Sequence, residues 1–217
     1  MKVFSLPVIK NGLAILFDMD CTLYTHNEYA QTQIDLPIER LAGIKGKTFD
    51  QMNDEITRYR NNWAKTHDGR QLSLGNTFLS FGISIEENVR WRENLYRPED
   101  YLTEDKKLRE TLLELAEHFS LAVVTNNPVS IAVRTLSVLG VKDLIKNIAG
   151  LDTCNLSKPN KEIFLKAADL CGVKVENCIS AGDRYDIDIA LPLELGMGGI
   201  LVDGVEDVYK LPELFFN

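Results

Sequence analysis

Short apolar runs alternate with amphipathic stretches along most of the chain. Leu13-Ala14-Ile15-Leu16-Phe17 is apolar throughout and ends at Asp18. Residues 120–124 end at Thr125, 147–151 at Asp152, 178–182 at Asp183 and 199–202 at Asp203. Continuous runs of this length predict strands buried on both faces, as in a parallel sheet. Between them the spacing predicts helices. One carries Leu108, Leu112, Leu115 and Phe119, with Thr103 as a candidate N-cap. A second has Pro128 in its first turn, carries Ile131, Val133, Leu136 and Leu139, and stops at Gly140. A third opens at Pro159, carries Ile163, Phe164, Ala167 and Leu170, and ends at Gly172. The alternation of strand and helix predicts a doubly wound, Rossmann-like α/β sheet.

Residues 24–100 break this rhythm. They hold no buried-strand run, and they show polar helical patterns over 49–67, 77–82 and 85–96. The segment is too long for a loop. It predicts a helical insertion after the first strand, so residues 1–23 and 101–217 form the α/β core and 24–100 a second, helical domain.

Composition narrows the setting. The chain has 217 residues and a net charge of -8, which argues against a nucleic-acid partner. No run reaches the ~20 apolar residues of a membrane span, and the N-terminus lacks the pattern of a secretory signal. Cys21, Cys154, Cys171 and Cys178 form no CxxC pair, so neither a disulfide framework nor a zinc site is expected. A reducing cytoplasm is the expected location. Composition leaves open whether the chain is a monomer or a homodimer.

The strand ends carry the chemistry. Open α/β sheets bind ligands beyond the carboxyl ends of their strands. There the sequence places Asp18-Met19-Asp20-Cys21-Thr22, Thr125-Asn126-Asn127, Lys158-Pro159 and Gly182-Asp183, with Asp188 five positions on. Asp18 and Asp20, two apart on extended chain, can face one side. With Asp183 and Asp188 they form an all-oxygen set suited to a hard divalent ion such as Mg²⁺. Asp186 is an alternative to Asp188. The Thr125 hydroxyl, the backbone N–H groups of Asn126 and Asn127, and the Lys158 ammonium suit a phosphoryl group. One aspartate can attack phosphorus while a second protonates the leaving oxygen, and Asp18 and Asp20 supply that pair.

These four motifs, in this order over nearly the whole chain, resemble the haloacid dehalogenase superfamily. The insert after the first motif resembles the helical cap of the subfamily that includes phosphoglycolate phosphatases, phosphoglucomutases and pyrimidine nucleotidases. The resemblance implies a phosphatase acting on a small phosphate ester through an aspartyl-phosphate. Asp18 would be nucleophile and metal ligand. Asp20 would be general acid/base, with its backbone carbonyl on Mg²⁺. Thr125, Asn126 and Lys158 would hold the phosphoryl group, and Asp183 and Asp188 would bind metal. A phosphomutase is the alternative reaction. Within the insert, Lys47 is the candidate for a substrate contact, while the paired arginines (Arg58 and Arg60, Arg90 and Arg92) are expected on a solvated face.

Overall fold

The computed structural model describes residues 1–8 and 12–216. The elements run β1 (Lys2–Val3), β2 (Leu13–Phe17), α1 (Asn27–Lys45), α2 (Phe49–Lys65), α3 (Leu74–Ser80), α4 (Ile85–Leu95), α5 (Lys106–Ala116), β3 (Phe119–Val124), α6 (Val129–Val138), β4 (Asn147–Ala149), α7 (Lys161–Cys171), β5 (Cys178–Gly182), α8 (Ala190–Glu194), β6 (Gly198–Leu201), α9 (Val205–Val208) and α10 (Leu211–Phe216). The sheet order is β1-β6-β5-β2-β3-β4. All neighbours are parallel except β1, which runs antiparallel on β6.

β2 lies near the middle of the sheet and is buried at all five positions. Alternate residues face opposite layers. Leu13, Ile15 and Phe17 pack with Leu108, Leu112 and Leu115 of α5 and with Leu136 of α6. Ala14 and Leu16 pack with Ile163, Phe164 and Ala167 of α7. A third cluster, including Ile38, Leu41, Met52, Ile56, Phe78 and Trp91, is built by α1–α4. Trp91 stacks edge-on against Phe78, with ring centroids 6.0 Å apart. The chain therefore has an α/β core with an inserted helical cap. Among the described residues no helix is long and apolar enough to cross a membrane.

Several boundaries differ from the sequence expectation. Asp105 caps α5 in place of Thr103, its carboxylate accepting from the Leu108 N–H at 2.8 Å. Pro128 is the cap before α6 rather than a residue of its first turn. Asn160, not Pro159, caps α7 through the Glu162 N–H. The strand expected over 147–151 stops at Ala149, because the Leu151 N–H turns away to Asn127 O at 2.9 Å. Helix α1, 19 residues long, has no counterpart in the apolar pattern. Its buried face includes Gln33 and Pro37, which hide the helical period.

Candidate active site

The parallel register brings three strand ends together. β2 pairs with β3 on one side and β5 on the other. The Asp18 N–H donates to Ala181 O at 2.8 Å, which places its carboxylate beside the end of β5. The chain then turns tightly. The Leu23 N–H returns to Met19 O at 2.9 Å, and Cys21 takes a left-handed φ of 58°. At the end of β3, the Thr125 N–H donates to Ala149 O, and the Thr125 hydroxyl oxygen accepts from the Asn127 N–H at 3.1 Å.

Lys158 stands at the centre and is 1% exposed. Its ammonium donates to Asp18 Oδ1 at 2.7 Å, to Asp188 Oδ1 at 2.7 Å and to Val124 O at 2.6 Å. All three N–H donors are thus engaged. The Asn126 side chain holds this loop: its Oδ1 accepts from the Lys158 N–H at 2.6 Å and its Nδ2 donates to Lys158 O. Asp188 is fixed from other directions as well. Its Oδ2 accepts from the Arg184 N–H at 3.1 Å, and its backbone carbonyl accepts from the Ser180 hydroxyl at 2.6 Å. Gly182 leaves the space Asp188 needs, since a Cβ there would lie 2.5 Å from the Asp188 Cβ.

Asp18, Asp183 and Asp188 each offer a carboxylate oxygen within 4.8 Å of the others. Burial, reinforced by Asp18, pushes Asp183 up to about 7. Burial also raises Asp188, although Lys158 opposes the shift. Burial by itself would lower the Lys158 ammonium, but Asp18 and Asp188 outweigh it and the net shift is upward. Among the described residues the three crowded carboxylates face only two cations, the Lys158 ammonium and Arg184, whose Nε lies 3.8 Å from Asp183 Oδ1, and so call for a further cation. The donor set is all oxygen, and among the described residues the buried Oδ1 of Asp183 has no hydrogen-bond partner. Both features fit a hard divalent ion held by Asp18, Asp183 and Asp188. Asp186 lies apart from this trio, and its Oδ2 accepts from the Gln71 N–H at 3.1 Å.

The Asp20 carboxylate also lies apart from the trio and faces the cap. Oδ1 accepts from the Tyr24 hydroxyl and from Gln33 Nε2 at 2.9 Å, and Oδ2 accepts from Asn127 Nδ2 at 2.8 Å. Asn127 turns its Oδ1 to Arg92 Nη1 at 2.8 Å. Cap and core also meet at the Ser73 and Ser157 hydroxyls, 2.9 Å apart. A cavity of about 210 Å³ lies between them, lined by Asp20, Asn126 and Asp183 from the core and by Gln33, Leu74 and Arg92 from the cap, among others. Cys21 also lines it, but burial and the nearby Asp183, Asp20 and Asp18 push its thiol up to about 11, far from a nucleophilic thiolate.

Two expectations about the cap need correction. Lys47 is not among the cavity-lining residues, and its ammonium is held by Glu55 at 2.6 Å. It follows the C-terminal end of α1, 14 residues beyond Gln33, which at the helical rise is ~20 Å along the axis. Arg92, expected on a solvated face, is 7% exposed. Nothing in the sequence marks Gln33, and nothing gives Arg92 or the Asn127 side chain this role. They carry no motif, and only the packing of α1 and α4 against the core brings them together.

Comparison with known proteins agrees with this geometry. A family model of the haloacid dehalogenase-like hydrolases matches residues 13–195. The chain belongs to that family. It is 26% identical over 203 residues to a glyceraldehyde 3-phosphate phosphatase of Methanothermobacter thermautotrophicus, covering 88% of this chain and 85% of the relative. It is 30% identical over 179 residues to a phosphoglycolate phosphatase of Colwellia psychrerythraea, covering 78% and 75%. It is 25% identical over 211 residues to a ribulose-1,5-bisphosphate 5-phosphatase of Halopiger xanaduensis, covering 89% and 86%. Among solved structures, a phosphatase of the same family from Thermococcus onnurineus superimposes with a TM-score of 0.60 at 19% identity, covering 94% of this chain and 98% of that one. A β-phosphoglucomutase from Clostridium difficile gives 0.54 at 17% identity, covering 93% and 98%, a likeness of fold. The family match and the phosphatase relatives make the chain a hydrolase of the phosphatase kind, as its motifs lead one to expect.

Proposed function

We propose that the protein is a Mg²⁺-dependent phosphohydrolase that cleaves a compact phosphate monoester through an aspartyl-phosphate on Asp18. The observation that carries this is that Asp18 shares one carboxylate cluster with Asp183 and Asp188 and accepts from the Lys158 ammonium at 2.7 Å. Asp20 stands two residues on, at the wall of the cavity between cap and core. Mg²⁺ held by Asp18, Asp183 and Asp188, with the Asp20 backbone carbonyl, would supply charge neutralisation at the phosphoryl oxygens.

The chain's own residues supply the rest. The Thr125 hydroxyl and the Asn126 backbone N–H orient the phosphoryl group for in-line attack, and the Lys158 ammonium, held between Asp18 and Asp188, adds positive charge beside it. A carboxylate oxygen of Asp18 bonds to phosphorus as the ester P–O bond breaks. Asp20 serves as the general acid, giving a proton to the leaving oxygen. In the second half, Asp20 takes a proton from water, the water oxygen bonds to phosphorus, and the P–O bond to Asp18 breaks. Inorganic phosphate leaves and both aspartates regain their starting states. Residues 24–100 serve as the cap domain over the core formed by 1–23 and 101–217, excluding bulk water from the acyl phosphate.

The test is hydrolysis of p-nitrophenyl phosphate. Turnover should require Mg²⁺, stop with chelator, and fall at least ~1,000-fold in Asp18→Asn, since nucleophile loss in covalent catalysis reaches that size. Near-normal turnover by Asp18→Asn would remove the nucleophile assignment.

A further inference from the structure

Arg92 lies on α4, in the cap, and is 7% exposed. Such a buried cation is ordinarily paired with a carboxylate. Arg92 is not: among the described residues no carboxylate oxygen lies within 4.0 Å of it. Its protein partners are neutral. Nε donates to Asn88 Oδ1 at 2.9 Å and Nη1 to Asn127 Oδ1 at 2.8 Å, while the Tyr96 ring sits 5.5 Å from Cζ. Nη2 makes no hydrogen bond among the described residues. The guanidinium is held in place from two sides, and Arg92 lines the cavity.

Arg92 is also the one charged residue that the cap contributes to the cavity lining. The core wall adds a second cation, Arg184, about half exposed and already paired with Asp183 at 3.8 Å, so among the described residues Arg92 is the unpaired one of the two. The acids on that lining are otherwise engaged. Asp183 belongs to the metal-ligand trio, and Asp20 accepts three hydrogen bonds. An anion entering the cavity would therefore find an arginine with no competing counterion.

The position of Arg92 says which part of a substrate it would meet. The transferring phosphoryl group belongs with Thr125, Asn126 and Lys158. Arg92 is tied through the single Asn127 amide to Asp20, the residue assigned to the leaving oxygen. Arg92 thus flanks the leaving group. A cavity of about 210 Å³ is small beside those that take drug-sized ligands, so that group is compact.

We propose that Arg92 is a specificity-determining residue, and that it selects short phosphomonoesters whose leaving group carries a second anionic group, a carboxylate or another phosphate. This rests on the phosphatase function proposed above.

The test uses two substrate pairs that differ in that second group. Phosphoglycolate is compared with ethylene glycol monophosphate, and propane-1,3-diol bisphosphate with propane-1,3-diol monophosphate. The wild type should show kcat/KM at least about tenfold higher for the anionic member of one pair, and which pair responds distinguishes carboxylate from phosphate. Arg92→Gln should lower kcat/KM on the preferred anionic ester by about ten- to a hundredfold, the size of a lost charge-assisted hydrogen bond. The neutral ester should lose far less, and Arg92→Lys should recover part of the preference. Equal kcat/KM within both wild-type pairs overturns the proposal without any variant. So does an Arg92→Gln variant that lowers both members equally, since that is a purely positioning role through Asn127. Failure of the wild type to hydrolyse even p-nitrophenyl phosphate refutes the phosphatase function itself. Hydrolysis of that ester with no anionic preference refutes only the role of Arg92.

Discussion

Replacing Lys158 by Met should destabilise the protein in a strongly pH-dependent way. The ammonium is 1% exposed and satisfies two buried carboxylates and the Val124 carbonyl. Met fills most of the volume but donates nothing. Removing one partner of a buried ion pair costs about 3–5 kcal/mol, because the other charge stays buried and uncompensated. The unpaired carbonyl adds about 1 kcal/mol or more. Proton uptake by the carboxylates limits the total, so about 3–5 kcal/mol is expected at pH 8. At ~2–4 °C per kcal/mol for a chain of this size, the melting temperature should fall by about 6–20 °C.

The sign with pH follows from linkage. Asp183 and Asp188 have pKa values raised by burial above the unfolded value of 3.8. Between that value and about 7, where Asp183 titrates, the native state binds more protons than the unfolded one. Stability contributed by these groups is then lost as pH rises through the window. Lys158 opposes the upward shift of Asp188, so its removal raises that carboxylate further and steepens the loss. The gap between variant and wild type should widen from pH 5 to pH 8, measured by calorimetric melting in chelator. Adding Asp188→Asn to the variant should recover part of the loss. A melting temperature within ~2 °C of wild type at pH 8, or a gap that ignores pH, would refute the argument that Lys158 neutralises a buried carboxylate cluster.

Three further outcomes follow from the same geometry. Divalent-ion affinity should rise between pH 5.5 and 7.5 as Asp183, pushed up to about 7, gives up its proton, and Asp183→Asn should weaken binding at least ~10-fold; calorimetric titration with Mg²⁺ checks both, and a flat pH profile contradicts them. Gly182→Ala would place a Cβ 2.5 Å from the Asp188 Cβ, so it should cost about 1–3 kcal/mol in urea unfolding and reduce Mg²⁺-dependent turnover together; full activity would show that Asp188 has room to move. Trp91→Ala removes a 5% exposed side chain from the cap cluster and should cost about 3–5 kcal/mol, read as a lower urea midpoint.

β2 and β5 are legible because each buries a run on both faces. Leu13–Phe17 and Cys178–Gly182 carry no polar residue larger than serine, and the structure keeps both sets of bounds. The motif aspartates were legible because those strands end at them. β4 was read two residues too long. Gly150 and Leu151 look like strand, yet a Cβ at Gly150 would lie 2.7 Å from Val129 N, so the chain there is packed against the α6 entrance instead. β1 escaped because two exposed residues, Lys2 and Val3, make no pattern.

The failures in the cap have a common physical origin. Gln33 occupies a buried position of α1 where periodicity calls for an apolar residue, and it is there because its amide binds Asp20, Asn127 and Tyr24. Asn88 and Arg92 occupy two buried positions of α4 and hydrogen-bond each other. These polar residues remove the apolar period from α1, and in α4, which the pattern does mark over 85–96, they leave Arg92 looking like a solvated residue. Burying them is costly unless every group finds a partner. In α1 the partners lie on the core, around Asp20. In α4 one of them, Arg92, still lacks an anion. Local departures from pattern of this kind concentrate at functional sites, because a site asks for polar groups where folding alone asks for apolar ones. The same substitution of polar for apolar both hides α1 and marks the face with which α1 and α4 meet the core: Gln33 and Arg92, 59 positions apart in sequence, converge on Asn127. Asn127 in turn holds Asp20, so the cap's seat on the core and the setting of the acid are one hydrogen-bonded arrangement.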